Sequence, residues 1–187
     1  MTGVGRGRVI LLNGPSSSGK SSIGRAMQSL LPDAWFCIGV DAISAMRSTV
    51  HTRALDHHEV EEMLTRTRRG YHRVVAALAS VGNDVIMDYP LSEPWRLDDL
   101  LELFRGYDVT LVDVRCSVDE LERREQARGD RPVGLAKSQT SVFAHRERDI
   151  VVDTTAHTAH ACATQIVNCL GGLADPKAFD RLRDRRA

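Results

Sequence analysis

Short apolar runs alternate along the chain with longer stretches in which apolar residues recur every three or four positions. The apolar runs predict five strands, at residues 9–12, 35–40, 84–87, 109–115 and 150–152. The longer stretches predict helices at residues 21–31, 42–50, 57–81, 94–104, 118–127 and 157–170. Strands that are apolar at nearly every position are typical of a parallel sheet covered on both faces. The pattern therefore predicts a three-layer α/β fold, in which helices cover both faces of a central five-stranded parallel sheet.

Size and charge narrow the class of protein. For 187 residues we expect one domain over residues 1–175, followed by a charged C-terminal tail or surface helix over 176–187. Lys plus Arg equals Asp plus Glu, at 25 each, so the bulk charge indicates no nucleic-acid partner and no anionic membrane. No apolar run approaches the roughly 20 residues of a membrane span. The cysteines lack metal-site spacing, and we interpret them as free thiols of a cytoplasmic protein. The sequence leaves open whether the protein forms a homo-oligomer.

The first predicted strand leads into a glycine-rich loop, Gly14-Pro15-Ser16-Ser17-Ser18-Gly19-Lys20-Ser21, and then into a helix. This run matches the phosphate-loop motif, whose backbone N–H groups surround the phosphates of a nucleoside triphosphate. A helix that begins at the loop adds the positive end of its dipole. We expect Lys20 to reach the β- and γ-phosphates of ATP and Ser21 to bind Mg²⁺. The predicted nucleotide-binding residues are Gly14, Ser16, Ser17, Ser18, Gly19, Lys20, Ser21 and Ser22.

Acidic residues follow two other predicted strands, and sites in parallel sheets lie at the carboxyl ends of the strands. Asp88 comes directly after an apolar strand and is the preferred second residue for Mg²⁺, with Asp113, inside a strand, as its rival. Asp41 follows the second strand and begins a predicted helix. It has two interpretations that do not exclude each other: a base that orients and deprotonates an acceptor hydroxyl, or the N-cap of the helix.

An arginine-rich segment, residues 122–132, follows the fourth strand and its helix. We expect Arg128 and Arg131, in a turn broken by glycine and proline, to act in catalysis from a lid over the phosphates. Arg123 and Arg124 each fit better as a solvated helix face paired with glutamates three or four positions away.

Acceptor specificity is expected from the region after Asp41. The candidate substrate residues are Met46, His51, Tyr89 and Trp95, although Trp95 equally fits a role in the core between helix and sheet.

Several runs together resemble the chloramphenicol phosphotransferase family: residues 10–21, 28–35 with 38–41, 127–131 with 134 and 137–139, and 149–155. The resemblance implies a P-loop kinase-like fold with an arginine-rich lid, ATP as donor, and phosphorylation of a primary hydroxyl of the drug in resistance or self-protection. The family's base, the aspartate of a Gly-Val-Asp segment, corresponds to Asp41. The chain departs from the family where Tyr89 and Pro90 follow Asp88 in place of a second acid.

The sequence therefore predicts an ATP-dependent O-phosphotransferase that acts on a hydroxyl of a small molecule, such as an antibiotic. Two alternatives stay open. One is a metabolic kinase for a nucleoside, a sugar or a shikimate-like acceptor, and the other is a nucleotide-binding regulatory switch. The guanine-recognition run N-K-x-D is absent from the sequence, which disfavours a GTPase.

Overall fold

A computed structural model describes residues 5–128, 134 and 139–186, without the side chains of Arg128 and Thr140. Its centre is a five-stranded sheet in the order β2-β3-β1-β4-β5, with every neighbouring pair parallel. The strands are β1 (Val9–Asn13), β2 (Trp35–Gly39), β3 (Asp84–Asp88), β4 (Val109–Arg115) and β5 (Ile150–Asp153). The predicted α/β class and the five parallel strands are confirmed.

The described residues form the α-helices α1 (Lys20–Leu30), α2 (Val40–Ala45), α3 (Thr49–Arg53), α4 (His57–Ser80), α5 (Pro94–Leu103), α6 (Val118–Arg128), α7 (Ala159–Cys169) and α8 (Ala178–Asp184). Short 3₁₀ helices occupy Thr140–Phe143 and Leu170–Gly172. Within the part of the chain that the structure describes, no helix has both the length and the apolar character needed to cross a membrane.

The core has two halves because successive side chains of a strand point to opposite faces of the sheet. On β1, Val9 and Leu11 face the half that is closed by α4, α5 and α8. Ile10 and Leu12 face the half that is closed by α1 and α7. All four side chains are at most 2% exposed, which explains why the strand is apolar at every position of the run.

The predicted helix at residues 42–50 is wrong in its extent, because α2 and α3 are separate helices. Ser48, the N-cap of α3, has extended backbone angles, with φ −60° and ψ 116°. Neither helix contains a buried residue, so burial does not favour one continuous helix. Arg47, in the break, instead donates a hydrogen bond to Thr67 Oγ1 of α4 at 2.8 Å.

The charged C-terminal segment forms a helix, which was one of its two predicted forms, and α8 also contributes to the core, which a tail does not. Ala178, Phe179 and Leu182 are buried against the sheet and α5. The backbone N–H of Ala178 donates to Asp149 Oδ1 at 2.7 Å, which fixes the start of α8. The charged residues of this segment therefore occupy the outer side of a helix whose inner side is apolar.

Candidate active site

The loop between β1 and α1 lies close to the carboxyl edge of the sheet. A Cβ on Gly14 would lie 2.4 Å from the carbonyl oxygen of Val114 on β4, so a larger residue does not fit there. Gly19 has φ +90°, in the left-handed region that favours glycine. Both glycines are therefore required by the path of the loop, which agrees with their places in the phosphate-loop motif.

Lys20 begins α1 and its side chain lies over the loop. Its Nζ donates to the carbonyl oxygens of Gly14 at 2.9 Å and Pro15 at 2.7 Å, and the residue is 7% exposed. These contacts place the ammonium group among the backbone groups that would surround the phosphates.

Ser21 and Asp88 meet beside Lys20. Ser21 Oγ donates to Asp88 Oδ2 at 2.5 Å, and Lys20 Nζ lies 4.0 Å from Asp88 Oδ1. Asp88 ends β3 and pairs in register with Leu12 of β1, which brings it to the loop. A hydroxyl and a carboxylate oxygen suit Mg²⁺, which commonly takes one or two protein carboxylates together with substrate phosphates. The two residues therefore fit the magnesium ion that the P-loop kinase fold implies.

Asp113, the rival of Asp88, lies elsewhere. It is fully buried within β4, where Asp113 Oδ1 accepts from Asn13 Nδ2 at 3.0 Å and lies 3.6 Å from His145 Nε2. Burial raises the pKa of the Asp113 carboxyl above its ordinary value. Asn13 also accepts the backbone N–H of Leu91 at 2.9 Å. Asp113 thus belongs to a buried polar cluster beneath the loop, and Asp88 is the carboxylate beside Ser21.

A cleft of about 1190 Å³ opens at this edge of the sheet, and Asp41, Lys20, Ser21 and Asp88 all line it. Asp41 lies in the first turn of α2, whose N-cap is Gly39. The interpretation of Asp41 as the N-cap is therefore wrong, whereas its position in the cleft leaves a role toward an acceptor. Tyr71 of α4 holds the end of β2, because its hydroxyl donates to the carbonyl oxygen of Ile38 at 2.7 Å.

Arg124 of α6 connects the loop to β5, so its interpretation as part of a solvated helix face is wrong. Its Nη1 donates to Thr154 Oγ1 at 3.1 Å and to the carbonyl of Ser17 at 3.4 Å, and its Nη2 donates to the carbonyl of Thr154 at 2.7 Å. Thr154 Oγ1 in turn donates to the carbonyl of Ser18 at 2.9 Å. The expected glutamate pairing is also present, because Arg124 Nε donates to Glu120 at 2.7 Å.

We expect Arg124→Gln to weaken the binding of a non-hydrolysable ATP analogue roughly tenfold, because hydrogen bonds from a charged donor that fix the loop are lost. Isothermal titration calorimetry measures this change. The control is Arg105→Gln, an exposed arginine that pairs with Glu102 at 2.9 Å. Equal affinities for the two variants would remove Arg124 from the nucleotide site.

Gln139, like Arg124, contacts the phosphate loop in a way that the sequence did not predict. Its side-chain carbonyl Oε1 accepts the backbone N–H of Ser16 at 2.7 Å. Gln139 lies in one of the runs that resemble the family, but nothing in the sequence indicated that its side chain contacts the phosphate loop. Thr154 could have been found, because it directly follows β5 and the ends of the strands carry the site.

The four candidate substrate residues do not line the cleft. Met46 and His51 are exposed, Met46 by 81%. Tyr89 is fully buried, with its ring edge-on to His72 at 4.9 Å between centroids. Trp95 is half-buried and donates to Glu93 at 2.8 Å. Cleft positions near Asp88 belong instead to Arg68 and Arg96.

Two predicted catalytic arginines stay predictions. Arg131 lies outside the described residues, and the side chain of Arg128 does also.

A family match and a curated relative both indicate a phosphotransferase family. The family of chloramphenicol phosphotransferase-like proteins matches residues 7–171. A Mycobacterium tuberculosis H37Rv protein named "Putative O-phosphotransferase Rv2636" is 32% identical over 206 aligned positions, which cover 99% of this chain and 92% of the relative.

Two solved structures have a similar fold. The Mycobacterium tuberculosis APS kinase CysC in complex with AMPPNP and APS is similar with a TM-score of 0.65 and 18% identity, covering 90% of this chain and 99% of that one. Shikimate kinase from Acinetobacter baumannii in complex with shikimate is similar with a TM-score of 0.62 and 14% identity, covering 87% and 92%. These neighbours confirm the predicted P-loop kinase fold. Since the family match spans residues 7–171 of 187, the chain belongs to the chloramphenicol phosphotransferase-like family.

Proposed function

We propose that this protein is an ATP-dependent O-phosphotransferase that phosphorylates a hydroxyl group of a small molecule. The observation that carries the proposal is the cleft, in which Asp41 shares one space with Lys20, Ser21 and Asp88 of the phosphate site. A phosphate loop alone fits a switch as well as a kinase. A carboxylate in the same cleft as the loop gives an acceptor hydroxyl a partner, which favours a transferase over a switch.

The residues divide the reaction between them. The loop amides and Lys20 bind the β- and γ-phosphates and stabilise the charge that develops on them. Ser21 and Asp88 would hold Mg²⁺, which supplies further charge neutralisation when bound. Asp41 orients the acceptor hydroxyl and takes its proton. The hydroxyl oxygen forms the new bond to the γ-phosphorus, the bond from that phosphorus to the bridging oxygen breaks, and ADP leaves.

The family and the mycobacterial relative support the reaction type more strongly than the acceptor. Resistance or self-protection by phosphorylation of an antibiotic is the role that we propose from the family's name. A metabolic kinase is the second candidate. Arg68 and Arg96, which line the cleft, favour it because two guanidinium groups suit an acceptor that carries an anionic group. We place either enzyme in the cytoplasm, where ATP is made, with a small hydroxylated molecule as its partner.

A panel of hydroxylated compounds tests the proposal. The protein is incubated with ATP, Mg²⁺ and one compound at a time, and the products are examined by mass spectrometry. We expect one group of related alcohols to gain the mass of a phosphate, with ADP formed in equal amount. ATP hydrolysis that no alcohol in a broad panel changes would favour the switch and contradict the transferase.

A further inference from the structure

Two arginines stand close together on the side of the cleft that carries Asp41 and Asp88. Arg68 comes from the middle of α4, and Arg96 comes from the first turn of α5. Arg96 Nη1 donates to the carbonyl of Pro90 at 2.9 Å, which fixes it two residues beyond Asp88. Both arginines line the same cleft as Asp41.

One carboxylate serves both guanidinium groups. Arg96 pairs closely with Glu93, whereas Arg68 Nη1 lies 3.9 Å from Glu93 Oε1, beyond hydrogen-bond distance. Glu93 also accepts the indole N–H of Trp95 at 2.8 Å. Among the residues that the structure describes, no hydrogen bond from the Arg68 guanidinium is present, and Arg96 Nε is buried without a partner. The pair therefore has more donors than Glu93 can satisfy.

The electrostatics point the same way. Burial and then the neighbouring charge of Arg96 lower the pKa of Arg68. Arg96 itself is 4% exposed. Two partly or fully buried cations share a single carboxylate, and although the rings of Tyr89 and Trp95 stabilise Arg96, a second anion would stabilise the pair further. Glu93 Oε1 lies within 3.9 Å of a nitrogen of each guanidinium group, so a carboxylate oxygen can approach both of them.

We propose that Arg68 and Arg96 bind an anionic group of the acceptor, so that the substrate is an alcohol bearing a carboxylate, phosphate or sulfate rather than a neutral alcohol. This inference rests on the proposed phosphotransferase function. Guanidinium groups bind such anions through paired hydrogen bonds, which would fix the orientation of the molecule as well as its affinity. With the anion held by α4 and α5, the hydroxyl of the acceptor is directed toward Asp41 and the phosphate loop.

The test compares matched alcohols that differ in charge. The probes are glycerol, D-glycerate, glycerol 3-phosphate and glycerol 3-sulfate, together with shikimate and its methyl ester. Binding is measured by ligand-observed NMR in the presence of a non-hydrolysable ATP analogue. We expect at least one anionic member to bind roughly tenfold or more tightly than its neutral partner, because the hydrogen bonds are charge-assisted. The anionic group that increases the affinity most over the neutral partner is the group that the site prefers.

Variants at Arg68 distinguish specific binding of the anion from non-specific attraction to the positive charge of the cleft. Arg68→Gln is expected to remove the preference, Arg68→Lys to retain part of it, and the affinity for the ATP analogue to stay within about twofold of wild type. The matched control is Arg66→Gln, which removes an exposed arginine of the same helix that pairs with Glu62 at 3.4 Å. Arg68 is chosen because removal of Arg96 would leave the Pro90 carbonyl without its donor. Melting temperatures verify folding.

The outcomes distinguish this inference from the proposed function. Equal binding of charged and neutral members, or a preference that survives in Arg68→Gln, overturns the anion site. Phosphoryl transfer to neutral alcohols alone also overturns the site and leaves the phosphotransferase intact. An Arg68-dependent preference for anions without transfer to any alcohol supports the site and contradicts the phosphotransferase.

Discussion

Lys20→Met is expected to lower phosphoryl transfer by roughly 10³-fold or more while the protein stays folded. Methionine keeps much of the length and volume of the side chain but removes the charge that would stabilise the β- and γ-phosphates in the transition state. The carbonyls of Gly14 and Pro15 lose their donor, so we also expect a modest decrease in the free energy of unfolding. Single-turnover transfer from labelled ATP, with the alcohol found by the panel, measures the effect.

The chain offers a matched control in Lys177→Met. Lys177 contacts Asp108 and donates to Thr110 Oγ1 at 3.1 Å, where β4 begins, at the opposite edge of the sheet. The same chemical change there should leave single-turnover transfer near the wild-type rate. Transfer by Lys20→Met within tenfold of wild type would mean that residues 14–21 do not form the donor site.

Asp41→Asn is the second large effect, with transfer reduced by roughly 10²–10⁴-fold and little change in the affinity for ATP, because the amide cannot accept the proton of the acceptor hydroxyl. Asp41 is not the N-cap of α2, and loss of its charge from the first turn weakens the interaction with the helix dipole by about 0.3–1 kcal/mol. Nucleotide titration and single-turnover transfer on the same samples separate binding from chemistry.

Asp56→Asn controls for the loss of a carboxylate at a helix start. Asp56 is the N-cap of α4, where its side chain accepts the backbone N–H of Glu59 at 2.9 Å. Asparagine keeps this cap, so transfer should be unaffected. If Asp41→Asn transferred phosphate as fast as this control, Asp41 would have no part in proton transfer.

The features that sequence predicted correctly are local ones. The central strand β1 was visible because burial on both faces makes residues 9–12 apolar at every position. The phosphate loop was visible because its glycines are required by close backbone approach, as at Gly14. Asp88 could be placed because a strand end was a sufficient guide to the edge of the sheet.

What sequence missed depends on packing between distant segments. Arg68 and Arg96 are 28 positions apart on two helices, and the contact between α4 and α5 brings them together. Arg124 was misinterpreted because its spacing from Glu120 explains an exposed pair equally well. The break between α2 and α3 was missed because the apolar pattern does not show that α2 packs its partly buried Val40 and Ile43 against the core whereas α3 contains no buried residue.

The central position of β1 in the sheet has a consequence for how such enzymes diverge. Arg124 and Thr154 connect the phosphate loop to β5 on one side, whereas Asp41, Arg68 and Arg96 are attached to β2, β3 and their helices on the other. Some contacts cross between the two sides, because Asn13 of β1 accepts the N–H of Leu91 and donates to the carbonyl of Val142, and Arg183 of α8 donates to the carbonyl of Leu101. Substitutions at distant positions without a shared partner have nearly additive effects. We therefore expect cleft positions between β2 and α5 to accept changes that select a new alcohol while the half around β5 is inherited unchanged, and exchange of residues 35–103 between relatives to transfer specificity only where these crossing contacts are kept.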